Sequence, residues 1–215
     1  MSIHTKEGAF FAKELGFSRV VASRELNIKQ IEDICSVGIE VEVFVHGALC
    51  MCVSGQCYMS AMIGSRSANR GLCAQTCRLP FSAIDGQQRY DLSLKDMSLV
   101  NHIGELASAG VCSLKIEGRM KSAFYAATIV RAYRMALDSY LESPDKYIFQ
   151  ERWLEEVSKV SNRSFTTGFY FDKPDHESQN YGSSSYIRTW EFVGVVLAYN
   201  EKEGTAVIEQ RNRIL

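Results

Sequence analysis

Residues 39–57 read IEVEVFVHGALCMCVSGQC, and the fold turns on how this stretch is read. Ile39, Val41, Val43 and Val45 alternate with Glu40, Glu42 and Phe44, the period of two that a β-strand imposes on its side chains. Gly47 follows, and cysteines begin at Cys50, directly after the strand's C-terminal end. In α/β architectures functional groups gather at the carboxyl ends of strands, so this placement is itself informative.

Upstream of the strand the same alternation of elements holds. Residues 6–15 are expected to form a helix closed by Gly16, and residues 19–23 a short valine-rich strand. Asn27 offers an N-cap with Gln30 three positions on, and Ile28, Ile31, Ile34 and Cys35 recur at helical spacing up to Gly38. Cys35 is thereby assigned to the apolar side of that helix, as a small hydrophobe of the core.

Downstream, residues 81–84 are expected as a strand, residues 99–107 as a helix ended by Gly110, and residues 111–116 as another strand. The longest helix is expected over residues 122–141, with Ala126, Ile129, Val130, Tyr133, Leu137 and Tyr140 on one face and Ser143-Pro144 as its stop. A further helix covers residues 152–160. Residues 192–199, a turn at 200–204 and residues 205–210 have the pattern of a β-hairpin. The expected organisation is residues 1–145 as a helix–strand domain carrying the cysteine loop, residues 146–164 as a helical connector, and residues 165–215 as the start of a β-rich domain. Only about four helix–strand units are present, too few to close an eight-stranded barrel. The chain is therefore expected to be truncated at both ends.

With 215 residues, 46% hydrophobic and 23% charged, the chain can bury a substantial core. A formal net charge of −1 argues against a broad electrostatic footprint for nucleic acid, while leaving room for a local basic patch. The sequence has neither a signal-type apolar run at its start nor an uninterrupted apolar segment of about 18 residues, so no membrane partner is expected and cytoplasm is the default location.

Five of the seven cysteines, Cys50, Cys52, Cys57, Cys73 and Cys77, fall within 28 residues. Seven cysteines cannot all pair, and nothing marks an oxidising compartment, so disulfides are disfavoured. Glycines at 47, 55, 64 and 71 let the loop turn back on itself, so that the thiolates can converge on one centre. Four thiolates suit either tetrahedral zinc or a four-iron cluster. Structural zinc sites carry two short knuckles, whereas here only Cys73-x₃-Cys77 is short and Cys50-x₆-Cys57 is wide, which favours iron–sulfur with zinc as the alternative. By spacing alone Cys52 could replace Cys50, and Cys112 could enter from a distant strand.

The run EVFVHGALCMCVSGQCYMS at residues 42–60 closely resembles the signature of the peptidase U32 family. NRGLCAQTCR at 69–78, LKIEGRMKS at 114–122 and YGSSSYIR at 181–188 agree with it. The resemblance implies a TIM-barrel-like domain, of which this chain would hold the later half, followed by a small β-barrel-like domain. The family's older label is collagenase-like protease, yet several members look like oxygen-independent hydroxylation proteins. Those carry a [4Fe–4S] cluster and act on tRNA wobble uridine, a ribosomal RNA cytidine or a ubiquinone precursor, with prephenate as hydroxyl donor. The blocks at 159–171 and 179–188 look most like the tRNA members that form 5-hydroxyuridine, which implies a tRNA substrate and leaves open a second family member as partner.

Carried over by position, the implied cluster ligands are Cys50, Cys57, Cys73 and Cys77, with Cys52 a bystander and Cys112 a rival for one place. Lys115, Glu117 and Arg119 follow a strand at the expected active end, either as a rim ion pair or gripping a carboxylate such as that of prephenate, for which a planar guanidinium is suited. Arg66, Asn69, Arg70 and Arg78 interleave with the cysteines and would bind an anionic substrate or stabilise a reduced cluster. Arg24 and Glu25 resemble the family's R-E-L block and would line the same cavity or form a capping salt bridge. His46, one step before the loop, is an acid–base candidate against the plainer reading of a satisfied structural histidine. Two other functions compete: a collagenase-like peptidase, for which no H-E-x-x-H, G-x-S-x-G or Cys–His–Asn set is evident, and a zinc-bearing RNA-interaction protein.

Overall fold

The computed structural model describes residues 2–82 and 86–213. In chain order its elements begin β1 (Ser2–Ile3), α1 (Lys6–Glu14), β2 (Arg19–Ala22), α2 (Ile28–Cys35), β3 (Glu40–Ala48) and α3 (Met59–Gly64). There follow β4 (Phe81–Ser82), β5 (Gln88–Arg89), β6 (Asp96–Ser98), α4 (Ile103–Ser108), β7 (Ser113–Ile116), α5 (Ala123–Glu142), α6 (Glu151–Ser158), β8 (Phe165–Thr166), β9 (Gly194–Asn200) and β10 (Thr205–Gln210). Among the described residues six strands form one open sheet in the order β1-β2-β3-β6-β8, with β7 also on β3. All its pairings are parallel except β3 with β6. Parallel strands demand crossovers, and α1, α2 and the segment through α4 supply them. The fold is thus mixed α/β with a parallel-rich sheet, beside which β4–β5 and β9–β10 form small antiparallel sheets.

Local chemistry explains why these helices start where they do. Thr5 accepts a hydrogen bond from the Gly8 amide, and Asn27 and Gln30 form the full capping box of α2. Ser122 caps α5 by accepting from the Tyr125 amide at 3.2 Å. Each cap satisfies amides that the first helical turn leaves without a partner.

The core is centred on β3. Val41, Val43 and Val45 are buried against Ile31, Ile34, Ile103, Leu106 and Ile129 from the flanking helices. On the other face Glu42 accepts hydrogen bonds from Lys115 at 3.0 Å and Ser113 at 2.9 Å. Burial opposes ionisation of Glu42, yet these bonds and the Lys115 and Arg19 charges hold its carboxyl below the usual range. Two tyrosines fasten β3 from outside the ladder: Tyr170 donates to the Phe44 carbonyl and Tyr133 to the Val45 carbonyl, each at 2.7 Å. Buried carbonyls need such partners once regular pairing ends.

Several expectations are corrected. The helix expected over 99–107 begins as a 3₁₀ turn at Val100–His102 and becomes α-helical only at Ile103, because Leu99 still serves the sheet by donating its amide to Val45. Ahead of it lies β6, whose three residues are all buried and therefore show no alternation. The buried face of α5 is Tyr125, Ile129, Ala132, Tyr133 and Ala136, rather than the stripe through Ala126 and Val130. Val130 is 52% exposed. Phe165–Thr166 joins the main sheet beside β6, and the hairpin starts at Gly194 with a bulge between Val207 and Ile208. The strand expected over 81–84 is seen at Phe81–Ser82. Its remainder, Ala83 and Ile84, and the terminal Ile214 and Leu215 lie outside the described residues. No helix among the described residues is long and apolar enough to cross a membrane.

Candidate functional site

The site is built where β3 stops. At Gly47 the backbone takes φ +124°, and a Cβ there would come within 2.6 Å of the Glu117 carbonyl oxygen. Glu117 donates its amide to His46 at 2.8 Å, so β3 and the loop after β7 meet backbone to backbone at this point. Only glycine permits both the conformation and the approach.

From Leu49 to Arg78 the chain leaves the sheet, and polar anchors return it. Arg78 donates to the Leu49 carbonyl at 2.9 Å, to the Ser93 hydroxyl at 3.0 Å and to the Leu94 carbonyl, joining both ends of the loop to the segment before β6. Glu25, just beyond β2, accepts from the Ser54 amide at 2.7 Å and hydroxyl at 2.9 Å, and also from Ser23. Inside the loop the buried Ser60 hydroxyl accepts from the Ala74 amide at 3.1 Å, tying the first cysteine group to the second. Charge-assisted bonds of this kind are the stronger ones, and here they replace a hydrophobic core.

The result is a cavity of about 420 Å³ lined by Cys50, Cys52, Cys57, Cys73 and Cys77 together with Arg24, Asn69 and Thr76. The Cys52 thiol is pushed up by burial and then by Cys57 and Cys50. Burial likewise pushes up the Cys77 thiol, Arg78 opposing it and Cys50 and Cys73 adding to it. Sulfur donors in partly apolar walls match a group held by thiolates, and no carboxylate or imidazole lines this cavity among the described residues. No three of the described His, Cys, Asp or Glu side chains converge on a point as a single ion would require; tetrahedral zinc at about 2.3 Å from each sulfur would bring the sulfurs to within about 4 Å of one another.

Cys112 stands apart from this group. Its thiol donates to the Val41 carbonyl at 3.2 Å, near the start of β7, where it adds to the burial that raises Cys35 to about 11. Cys35 packs against the core and lies 3.1 Å from where a Cβ of Gly110 would be.

A second cavity, about 390 Å³, adjoins the first through Arg24, Cys50, Cys73 and Cys77, and is completed by Arg78, Glu117, Arg119, Lys121 and Tyr186. Arg119 lies across Gly71 of the cysteine loop, whose Cβ would sit 2.8 Å from its guanidinium nitrogen. Thus Arg24, Asn69, Arg78, Glu117 and Arg119 are brought to the cysteines. Lys115 instead pairs with Glu42 and stands 5.3 Å from the Phe44 ring centre, beside Arg24 at 5.4 Å. Glu25 acts as an anchor, and Arg66 and Arg70 are exposed on the loop's outer side. His46 is 1% exposed among Tyr125, Tyr133 and Phe165, and burial, then the Lys121 charge, lower its pKa to about 3. It is a neutral core histidine at neutral pH.

Sequence reasoning missed Lys121, Tyr186 and the anchoring serines. Lys121 donates to the Ser161 carbonyl at 3.1 Å and hydroxyl at 3.2 Å, and its ammonium sits 3.3 Å from the Tyr186 ring centre. Burial brings it down to about 8, with Asp96 opposing and Arg163 and Arg188 reinforcing the shift. Its place within the LKIEGRMKS block was the available signal.

With this geometry in hand, comparison with known proteins is informative. The profile of Peptidase family U32 matches residues 1–180. A Bacillus subtilis protein named tRNA hydroxylation protein P1 is 39% identical over 94% of this chain and 51% of its own length. An Escherichia coli protein named 23S rRNA 5-hydroxycytidine C2501 synthase is 44% identical over 65% of this chain and 22% of its own. A Porphyromonas gingivalis protein named Collagenase is 35% identical over 88% of this chain and 51% of its own. The chain spans about half the length of these relatives, or less, and no solved structure matches it significantly. By the extent of the profile match and the identity to its relatives, the chain belongs to peptidase family U32.

Proposed function

We propose that this chain is the cysteine-bearing part of an RNA-hydroxylating enzyme, acting on tRNA wobble uridine to give 5-hydroxyuridine with prephenate as hydroxyl donor. The observation that carries this reading is the meeting of five cysteines with Arg24, Arg119 and Lys121 in two adjoining cavities, in a chain that matches a tRNA hydroxylation protein over 94% of its length. Cys50, Cys57, Cys73 and Cys77 would hold a [4Fe–4S] cluster. When bound, such a cluster supplies one-electron chemistry at a potential set by charge and hydrogen bonds around its sulfurs. Arg24 and Arg119 present guanidinium groups to an anionic co-substrate, a role that suits carboxylate recognition. Arg78 and Glu25 keep the loop closed around the site. The open parallel-rich sheet is read as part of a TIM-barrel-like domain, working in the cytoplasm, alone or with a second family member.

The test uses full-length protein purified without oxygen. About four irons and four sulfides per chain, lost in Cys50→Ala, Cys57→Ala, Cys73→Ala and Cys77→Ala but retained in Cys112→Ala, are expected. Restoration of 5-hydroxyuridine in tRNA of a strain lacking the protein, read by mass spectrometry, is the functional counterpart. Stoichiometric zinc without iron would replace this reading by a zinc-bearing RNA-interaction protein. Cysteine-dependent cleavage of a defined peptide would replace it by the peptidase.

A further inference from the structure

Next to the cysteine cavities lies a third, about 360 Å³, with a different character. Lys121, Lys159 and Arg188 line it together with Tyr186, Trp190 and the Phe124–Phe192 pair, whose rings lie 5.0 Å apart. No carboxylate lines it among the described residues. Lys159 has Glu156 as a partner from α6, whereas neither Lys121 nor Arg188 makes an ion pair among the described residues. Trp190 is 64% exposed, with the Lys159 ammonium 5.3 Å from its ring centre. The Tyr186 ring is in contact with two cations, Lys121 at 3.3 Å and Arg163 at 3.8 Å. Met120, Lys121 and Tyr186 form the wall that this cavity shares with the one bordered by Cys50, Cys73 and Cys77.

A large indole left in water beside Lys159, in a cleft that no carboxylate lines among the described residues, is poorly explained by packing. It has the composition of a single-stranded nucleic-acid track, in which bases stack on aromatic faces and ammonium or guanidinium groups meet the phosphates. A peptide or a dicarboxylate would use the cations and leave the exposed ring idle. A duplex would not offer its base faces to Trp190. We propose that this basic–aromatic cleft binds the nucleotide flanking the reacting one in a single-stranded RNA loop, with the flanking base stacked on Trp190 and its phosphate held by Lys121 and Arg188. The shared wall then leads the adjacent nucleotide into the cysteine cavities. This rests on the reading of the protein as an RNA-modifying enzyme and gives that reading its entry path.

The experiment measures binding of a fluorescein-labelled anticodon stem-loop to full-length protein by anisotropy at several salt concentrations. Trp190→Ala and Arg188→Glu each weaken binding about tenfold or more, and Trp190→Phe restores most of the stacking. Arg188→Ala lowers the slope of log K against log salt by about 0.7, one phosphate contact on a single strand. Lys29→Glu, an exposed reversal on α2, serves as the charge-matched control and leaves affinity unchanged. Equal melting temperatures verify that the variants are folded. Wild-type affinity in both Trp190→Ala and Arg188→Glu overturns the cleft, even when the wild type binds and hydroxylates RNA. Failure of the wild type to bind RNA at all overturns the functional reading and the cleft with it.

Discussion

Between Glu40 and Val45, β3 is held by ladder pairing with β2 and β7 and by valines buried on one face. The ladder continues through His46–Ala48, which pair with β6, and beyond Ala48 the same chain is held by single, individually placed groups: Arg78 on Leu49, Glu25 on Ser54, Ser60 on Ala74. The first region is redundant, because each valine shares its burial with many neighbours. The second is not, since each anchor is a single side chain and cutting it frees a stretch of the cysteine loop. The stability of the molecule therefore resides mainly in β3 and its neighbours, and the shape of the site mainly in a few polar contacts beyond the end of β3.

The sharpest way to break this contrast is Gly47→Ala. The added methyl meets the Glu117 carbonyl backbone at 2.6 Å and the residue must keep φ +124°. Strain and overpacking together cost more than about 3 kcal/mol. The expected outcome is a lowered denaturant midpoint and, on the cluster reading proposed above, loss of iron in the same variant. A variant of wild-type stability would show that the β3–Glu117 approach is adaptable.

Next in size is the acid response of His46. Its folded pKa is about 3, against about 6.5 when unfolded. Between those values the unfolded chain takes up a proton that the native state refuses, so stability is full above pH 6.5 and falls as pH drops toward 3. The slope contributed is about 1.4 kcal/mol per pH unit within the window. Denaturation measured at pH 5 and pH 6.5, above the range where carboxylates dominate, should show this slope in the wild type and its absence in His46→Gln.

Arg78→Ala tests the upper region alone. It removes hydrogen bonds to Leu49, Ser93 and Leu94 and costs about 2 kcal/mol, the scale of a charged group's hydrogen bonds. Its effect on the cysteine loop should exceed its effect on the fold: faster protease cutting within residues 49–78, and weaker retention of the cluster proposed above, with α-helical circular dichroism retained. Uniform destabilisation without local loosening would erase the distinction between the two regions.

That distinction also explains what the sequence revealed. The strand at 39–45, the capping box at Asn27 and Gln30, and the hairpin near 192–210 are local patterns, and each reappears with small shifts of boundary. That the five loop cysteines would gather around one cavity was legible because glycines and spacing are local too. Asp96–Ser98 was invisible as a strand, since Asp96 is buried only through Arg163, 67 positions away, which meets it with its backbone amide at 3.2 Å and its guanidinium at 3.4 Å. Glu25 was singled out by the R-E-L block, as a cavity residue or half of a capping salt bridge, and Arg78 by its place among the cysteines, for an anionic substrate or a reduced cluster; their hydrogen bonds run to Ser54, Leu49 and Ser93. Nothing in a local window tells an arginine that closes a loop from one that awaits an anion.

The smallest effect lies wholly in the legible region. Asn27→Ala removes the side-chain acceptor for the Gln30 amide at 3.0 Å and leaves the reciprocal bond from the Asn27 amide to Gln30 in place. Loss of an N-cap of this kind costs about 1 kcal/mol. Ile31 and Ile34 remain buried against the core, so α2 should stay formed and frays only at its first turn. Because the Tyr170 carbonyl accepts from the Ile28 amide in that same turn, hydrogen exchange should rise at Ile28 and Gln30 while the cysteine loop keeps its wild-type protection. Protection lost in the loop as well would mean that the first turn of α2 and the site move together, and that the division between the redundant strand β3 and the singly anchored loop after it is drawn in the wrong place.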